Sequence, residues 1–127
     1  MAEPRVVVVT GASRGLGMAT ATHLHRAGWT VVAAVRSPET VDEDARMIAV
    51  RLDLTDPASV DEAAATVLTR IGPPAGIVHN AGIAAVGALE ELPLETWEAM
   101  FATNFLGPVR LTKALVPAMR SAGRGRI

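Results

Sequence analysis

Residues 10–17 read Thr-Gly-Ala-Ser-Arg-Gly-Leu-Gly and directly follow a run of four valines, Val6 to Val9. Four consecutive β-branched residues without polar alternation predict a strand that is buried on both faces, as in a parallel sheet. Glycines allow a tight turn and a close approach of the backbone to a phosphate. A helix predicted over Leu16–Ala27 follows, and the N–H groups and dipole at its start would attract a pyrophosphate. The stretch therefore predicts a strand–turn–helix unit that binds a dinucleotide.

The composition excludes several other classes of protein. Half of the 127 residues are hydrophobic and the formal net charge is −1, which excludes a disordered chain and argues against a nucleic-acid partner. The chain has no cysteine, and its histidines lack the spacing of metal ligands, so we expect no disulfide and no metal. No apolar run approaches the ~18 residues of a membrane span, and the N-terminus does not read as a signal peptide. We therefore expect a cytoplasmic protein without a membrane partner.

Strands and helices alternate along the rest of the chain. The patterns predict strands at Thr30–Val35, Met47–Leu52 and Gly76–His79, a helix that begins at Pro57 after the cap Asp56, and a long helix from Leu94 to about Arg120. A short helix is also expected near Val41–Ala45, and Gly107–Pro108 is expected to bend the long helix. The tail that ends at Ile127 is expected to lead into a further strand. This alternation predicts a parallel α/β sheet with helices on both faces.

The glycine spacing and three later motifs resemble those of one family. Gly11, Gly15 and Gly17 form G-x-x-x-G-x-G, and Asp53-Leu54-Thr55, Asn80-Ala81-Gly82 and Asn104 follow in order. In these features the sequence resembles the short-chain dehydrogenase/reductase family, in its single-domain branch. The resemblance implies a Rossmann-type doubly wound parallel sheet with strand order 3-2-1-4. It also implies that residues 1–127 are the N-terminal part of one NAD(P)-binding domain, truncated before strand five.

The resemblance implies a nicotinamide dinucleotide as cofactor and predicts which residues bind it. These are expected in the glycine turn, at the ends of strands two and three, and after strand four: Gly11, Ser13, Arg14, Gly15, Leu16, Gly17, Arg36, Asp53, Leu54, Asn80, Ala81 and Gly82. The backbone at Gly17 is expected to approach the pyrophosphate. Asp53 is expected to accept a hydrogen bond from the adenine amino group, with a backbone contact from Leu54.

Position 36 bears on the choice between NADP and NAD. Proteins that bind NAD carry a ribose-binding acid ~20 residues after the glycine turn, whereas this chain has Arg36 at that place. A guanidinium there can pair with the 2′-phosphate of NADP, and Arg14 is a second cation nearby. NADP is therefore the expected cofactor, with NAD kept as an alternative because Glu39 is only three residues further on.

The family's reaction is hydride transfer between the nicotinamide and a small-molecule alcohol or ketone, with a Tyr-x-x-x-Lys pair and a Ser as the reacting groups. Asn104 matches the family's helix Asn, whose carbonyl holds a water of the proton relay, and is the one catalytic residue expected here. The chain has no tyrosine, and its only lysine, Lys113, is on the wrong helix. We interpret the chain as the cofactor-binding half of an NADP-dependent oxidoreductase that is a homo-oligomer, a dimer or tetramer, at full length.

Two other hypotheses stay open: a catalytically inactive dinucleotide-binding module, and an interaction module that pairs through the last helix. A downstream Ser and Tyr-x-x-x-Lys would decide for the enzyme. His79 replaces the family's usual Asn and is expected to be packed and hydrogen-bonded rather than a general base. Trp97, Phe101 and Phe105 are expected to pack. Strand four is expected to be an open edge, so the isolated chain should self-associate and should not reduce ketones.

Overall fold

A four-stranded parallel sheet forms the centre of the computed structural model, which describes residues 4–127. The strands are β1 (Val6–Thr10), β2 (Thr30–Val35), β3 (Met47–Arg51) and β4 (Gly76–Val78). They lie in the order β3-β2-β1-β4, and every pair is parallel. The predicted doubly wound sheet and its strand order are therefore confirmed.

Helices cover both faces of the sheet. They are α1 (Gly15–Arg26), α2 (Pro57–Arg70), α3 (Leu94–Phe101) and α4 (Gly107–Ser121), with a π-helical turn, Ala102–Leu106, between the last two. Successive residues of a strand point to opposite faces. Val6 and Val8 accordingly share one buried cluster with α2 and α4, while Val7 and Val9 share another with α1. The uninterrupted valine run is thus buried on both sides, as its pattern predicts.

The prediction of a short helix near residues 41–45 is wrong. A 3₁₀ turn at Pro38–Thr40 stands instead, and residues 41–46 are irregular. The Asp44 carboxylate accepts the backbone N–H groups of Arg46 and Met47, both at 2.7 Å, and Glu43 accepts that of Ala49 at 2.8 Å. Acidic side chains that bond nearby backbone amides offer the chain an alternative to a helix.

The interruption of the long helix begins earlier than expected. It is the π-helical turn, in which the Gly107 N–H donates to the Ala102 carbonyl five residues back. Gly107 itself packs so closely on Leu54 that an added Cβ would lie 2.6 Å from the Leu54 carbonyl oxygen. The turn therefore brings the start of α4 against the loop that follows β3.

Two further expectations about exposed surface need correction. Phe101 and Phe105 do not pack, because they remain 59% and 57% exposed. The outer edge of β4 is not fully open, because Arg126 forms a parallel bridge with Gly76. In this bridge the Ile77 N–H donates to the Arg126 carbonyl at 2.9 Å. The tail therefore does lead into the position of a further strand.

Candidate functional site

A cleft of about 600 Å³ lies where the carboxyl ends of the strands meet. Ten of the predicted cofactor-binding residues line it: Gly11, Ser13, Arg14, Gly15, Arg36, Asp53, Leu54, Asn80, Ala81 and Gly82. Leu16 and Gly17 do not, and the Leu16 side chain is 81% exposed. Open α/β sheets bind ligands at this edge, where the strand order reverses. The fold thus brings residues from four separate segments into one site.

The glycine turn contributes backbone, rather than large side chains, to the lining of this cleft. Gly11 and Gly15 have φ angles of +65° and +57°, a left-handed region that favours glycine. A Cβ on Gly15 would meet nothing within 4 Å, so the backbone there is open to a ligand. The first turn of α1 carries no acidic residue, and the Arg14 side chain makes no capping bond. The N–H groups at the start of α1 are therefore available to an anion.

Packing alone requires a glycine at position 17. A Cβ there would collide with the Gly11 carbonyl oxygen and with the side-chain amide of Asn80. Glycine at this position therefore lets α1 pack against the turn and against the loop after β4. Gly17 is not part of the cleft lining, whereas Gly15 lines the cleft and has open space beside its Cα.

The Thr10 hydroxyl joins β1 to the loop after β4. It is completely buried, accepts the backbone N–H groups of Asn80 at 3.1 Å and Ala81 at 3.0 Å, and donates to the Val78 carbonyl at 3.4 Å. The Asn80 side chain donates back to the carbonyls of Thr10 and Gly11. Sequence reasoning missed Thr10, although a hydroxyl at the buried end of an all-valine strand must find partners.

Asp53 provides an ionised carboxylate at the end of β3. Its Oδ1 accepts the hydroxyl of Thr55 at 2.7 Å and the backbone N–H of Thr55 at 3.0 Å. These bonds, assisted by the nearby charges of Arg51 and Arg36, hold the pKa of Asp53 below its usual value. Its Oδ2 makes no hydrogen bond within residues 4–127 and remains available as an acceptor.

Arg14 and Arg36 both line the cleft, as do Ser37 and Thr40. Both arginines are exposed, and no salt bridge holds either of them within the described part of the chain. Glu39, which left NAD open as the cofactor, is not among the lining residues. The cleft lining therefore carries two cations that are unpaired within residues 4–127, and it includes hydroxyl groups of Ser37 and Thr40 that the sequence analysis did not single out.

Asn104 lies in the π-helical turn and is exposed, and it is not itself among the residues that line the cleft. Its Oδ1 accepts the Ile83 N–H at 2.8 Å, and its Nδ2 donates to the Ile83 carbonyl at 2.7 Å. Ile83 and Thr103 both line the cleft. Neither carried a signal in the sequence, because their place depends on the register between the loop after β4 and this turn.

The backbone around Asn104 departs from the α-helical hydrogen-bond pattern. Pro108 has no N–H, so the Asn104 carbonyl lacks the donor that an α-helix would place four residues ahead. The Gly107 N–H goes to Ala102, so the Thr103 carbonyl loses its donor as well. Such carbonyls require another partner, and water is the simplest one.

His79 is half-buried beside this site and is hydrogen-bonded, as expected. Its Nε2 lies 2.8 Å from the Thr112 hydroxyl, and burial lowers its pKa. Among the residues that the structure describes, no three histidine or carboxylate side chains group together as a metal site. No helix within residues 4–127 is both long and apolar enough to cross a bilayer.

Comparison with known proteins identifies the family. The model of the short chain dehydrogenase family matches residues 5–127, which is nearly the whole chain. This chain belongs to the short-chain dehydrogenase family. The glycine turn and the Asn-Ala-Gly motif, on which the resemblance rests, are among the segments that line the cleft described above.

Individual relatives of this short-chain dehydrogenase chain agree with that assignment. Dehydrogenase/reductase SDR family member 7B of Rattus norvegicus is 37% identical over 136 residues, covering 96% of this chain and 42% of that protein. A short-chain dehydrogenase from Streptomyces avermitilis superposes with a TM-score of 0.94 at 40% identity, covering 98% of this chain and 48% of the other. An alcohol dehydrogenase from the archaeon Thermococcus sibiricus, complexed with 5-hydroxy-NADP, superposes with a TM-score of 0.89 at 33% identity, covering 96% and 56%. The chain thus spans about half the length of these relatives.

Proposed function

We propose that this chain is the cofactor-binding half of an NADP-dependent oxidoreductase, with residues 1–127 forming the N-terminal part of one nucleotide-binding domain. The observation that carries this proposal is the presence of two arginines in the cleft lining. Arg14 and Arg36 line the same cleft as Asp53 and the open backbone of Gly15. A phosphate on the adenine ribose calls for cations at this place, whereas a bare ribose calls for an acid.

The residues present fit such a dinucleotide from end to end. The amides at the start of α1 would hold the pyrophosphate, because no side chain of the first turn competes for them. The Asp53 Oδ2 would accept the adenine amino group, and Arg36 would pair with the 2′-phosphate. Asn80 and Gly82 would line the nicotinamide ribose. The bound nicotinamide would supply or accept the hydride, and the bound 5-hydroxy-NADP of the Thermococcus sibiricus relative supports this cofactor class.

Asn104 is proposed to act in proton transfer through its backbone. Its side chain is committed to Ile83, and its carbonyl lacks the α-helical donor four residues ahead because residue 108 is proline. That carbonyl would hold a water at the edge of the cleft. A small-molecule alcohol or ketone is the proposed substrate.

The exposed apolar residues of the helical segment support a homo-oligomer at full length. Phe101, Phe105 and Leu106 are each more than half exposed. Such a row of apolar side chains is costly to leave in water.

An inactive dinucleotide-binding module is the second candidate, because the chain has no tyrosine to act as the family's acid/base. Two preparations separate the candidates: the full-length protein that contains this chain, and the 127-residue chain alone. For an enzyme, we expect the full-length protein to oxidise NADPH in the presence of a ketone and the 127-residue chain to leave it unchanged. Cofactor binding without turnover by the full-length protein would favour the module. Turnover by the 127-residue chain would contradict the role given to the missing tyrosine.

A further inference from the structure

Three side-chain contacts tie down the segment His79–Ile83, here called the strap, which links β4 to the wall of the cleft. Its first residue contacts Thr112 on α4 through the imidazole Nε2 at 2.8 Å. Its middle is hydrogen-bonded to Thr10, and its last residue pairs with Asn104. The strap is therefore fixed at both ends to one continuous helical segment and in the middle to β1.

The two end contacts lie on the same helical segment. Asn104 and Thr112 are eight residues apart, and α4 continues directly from the π-helical turn. The distance along the strap from His79 to Ile83 is likewise short. Because the strap is only five residues long, we expect a change at one end contact to reach the other.

The chemistry of the imidazole favours one form of this contact. Its Nδ1 is buried and has no hydrogen-bond partner within the described residues. If the ring proton is on Nε2, it is donated to Thr112 and only a lone pair of Nδ1 is left unpaired. A proton on Nδ1 would instead be a buried donor without an acceptor, which is the rarer and costlier arrangement. A neutral ring protonated on Nε2 therefore fits this site best.

We propose that His79 is a positioning residue, which ties the strap to α4 through Thr112 and so holds Ile83 and Asn104 in register at the cleft. This inference rests on the proposed function for its kinetic consequence but not for the contact itself. In this role His79 affects proton transfer only through Asn104, and its imidazole takes no proton from a substrate.

Matched substitutions in the full-length protein test the hydrogen bond between His79 and Thr112. His79→Gln places an amide N–H near the position of Nε2, whereas His79→Asn reaches only the position of Nδ1. Thr112→Val removes the hydroxyl and keeps the shape of the side chain. Without cofactor, hydrogen exchange of the Ile83 amide should become about three- to tenfold faster in His79→Asn and Thr112→Val, the size of one lost hydrogen bond. His79→Gln should restore protection.

The double variant His79→Asn/Thr112→Val should exchange no faster than either single variant, since both remove the same contact. Unchanged exchange in both single variants, or additive effects in the double variant, would overturn the proposal.

The kinetic measurement distinguishes positioning from general stability. We expect His79→Asn and Thr112→Val to lower kcat about three- to tenfold with the KM for NADPH nearly unchanged, and His79→Gln to recover most of the loss. A rise in the KM for NADPH with kcat unchanged would overturn the positioning role. If the wild-type protein reduces no ketone, the proposed function fails, while the exchange experiment still decides whether the tie exists.

Discussion

Asn104 and Ile83 form a reciprocal pair in which the side-chain amide of one residue bonds both backbone groups of the other. The Ile83 N–H donates to Oδ1 at 2.8 Å, and Nδ2 donates to the Ile83 carbonyl at 2.7 Å. The pair imitates one rung of a sheet ladder between residues 21 positions apart. It connects the π-helical turn to the loop after β4, and so joins the two segments nearest the proposed site of hydride transfer.

Substitution of Asn104 should affect turnover more than cofactor binding. Asn104→Ala removes both bonds to Ile83 and frees the turn, so we expect kcat of the full-length protein to fall at least about tenfold. The Kd for NADPH should change little, because Arg36 and Asp53 line the cleft whereas Asn104 does not. Asn104→Asp keeps the acceptor for the Ile83 N–H but loses the donor, and should give an intermediate kcat. Normal turnover in Asn104→Ala would leave this residue with a structural role alone.

Gly15 and Gly17 should respond differently to alanine. Gly17→Ala forces a methyl group into the Gly11 carbonyl and the Asn80 amide, so we expect the free energy of unfolding to fall by about 2–4 kcal/mol. Gly15→Ala has room for its methyl group but takes a strained φ, at a cost of about 1–2 kcal/mol. Urea unfolding without cofactor measures both.

Cofactor titration completes the comparison of the two glycine variants. Gly15→Ala should lose less stability than Gly17→Ala but should weaken NADPH binding more. The reason is that Gly15 lines the cleft and its added methyl group would occupy open space there. If Gly17→Ala is as stable as the wild type yet binds no cofactor, the packing role of Gly17 is wrong.

Arg36→Asp should change cofactor preference. Removing the guanidinium should weaken NADP binding by about 1.5–3 kcal/mol, the size of one hydrogen bond to a charged group, and should affect NAD much less. Arg70→Asp, in the last turn of α2 and outside the cleft lining, is the matched control for the change in charge. Calorimetric titration of both cofactors provides the measurement. Equal affinities of the wild type for NAD and NADP would contradict the proposal.

Stability should fall in mild acid because of His79. Burial lowers the pKa of its ring from 6.5, so below about pH 6.5 the unfolded chain takes up a proton that the folded chain still refuses. The free energy of unfolding should therefore decrease from pH 7 towards pH 5. His79→Gln should remove this part of the decrease, while the exposed control His23→Gln should retain it.

Asp53 should contribute to the free energy of unfolding in a separate and lower range of pH than His79. Its pKa lies below 3.8, so its contribution is present above that pH and is lost as the pH falls further. Denaturant unfolding at a series of pH values distinguishes the two groups. An identical pH dependence in His79→Gln and the wild type would contradict the assignment to His79.

Local signals in the sequence determined most of the fold. The valine run, the glycine turn and the cap Asp56 each depend on a few neighbouring residues, whose side-chain shape and backbone preferences act within one element. The Asp56 side chain accepts the Ala58 N–H as such a cap should. The alternation of these elements then allows few topologies, because crossovers between parallel strands share one handedness. The site residues came instead from the family resemblance, and ten of the twelve residues that it implied line the cleft.

Only the tertiary structure decided how the segments engage one another. The Thr10 hydroxyl reaches Asn80 across 70 positions, Gly17 faces the Gly11 carbonyl, and His79 meets Thr112. None of these contacts follows from local preference, since each depends on the register of one packed element against another. The same holds for Phe101 and Phe105, whose helical spacing is satisfied whether their face is covered or exposed. Periodicity specifies which residues share a face, but only packing decides what that face meets.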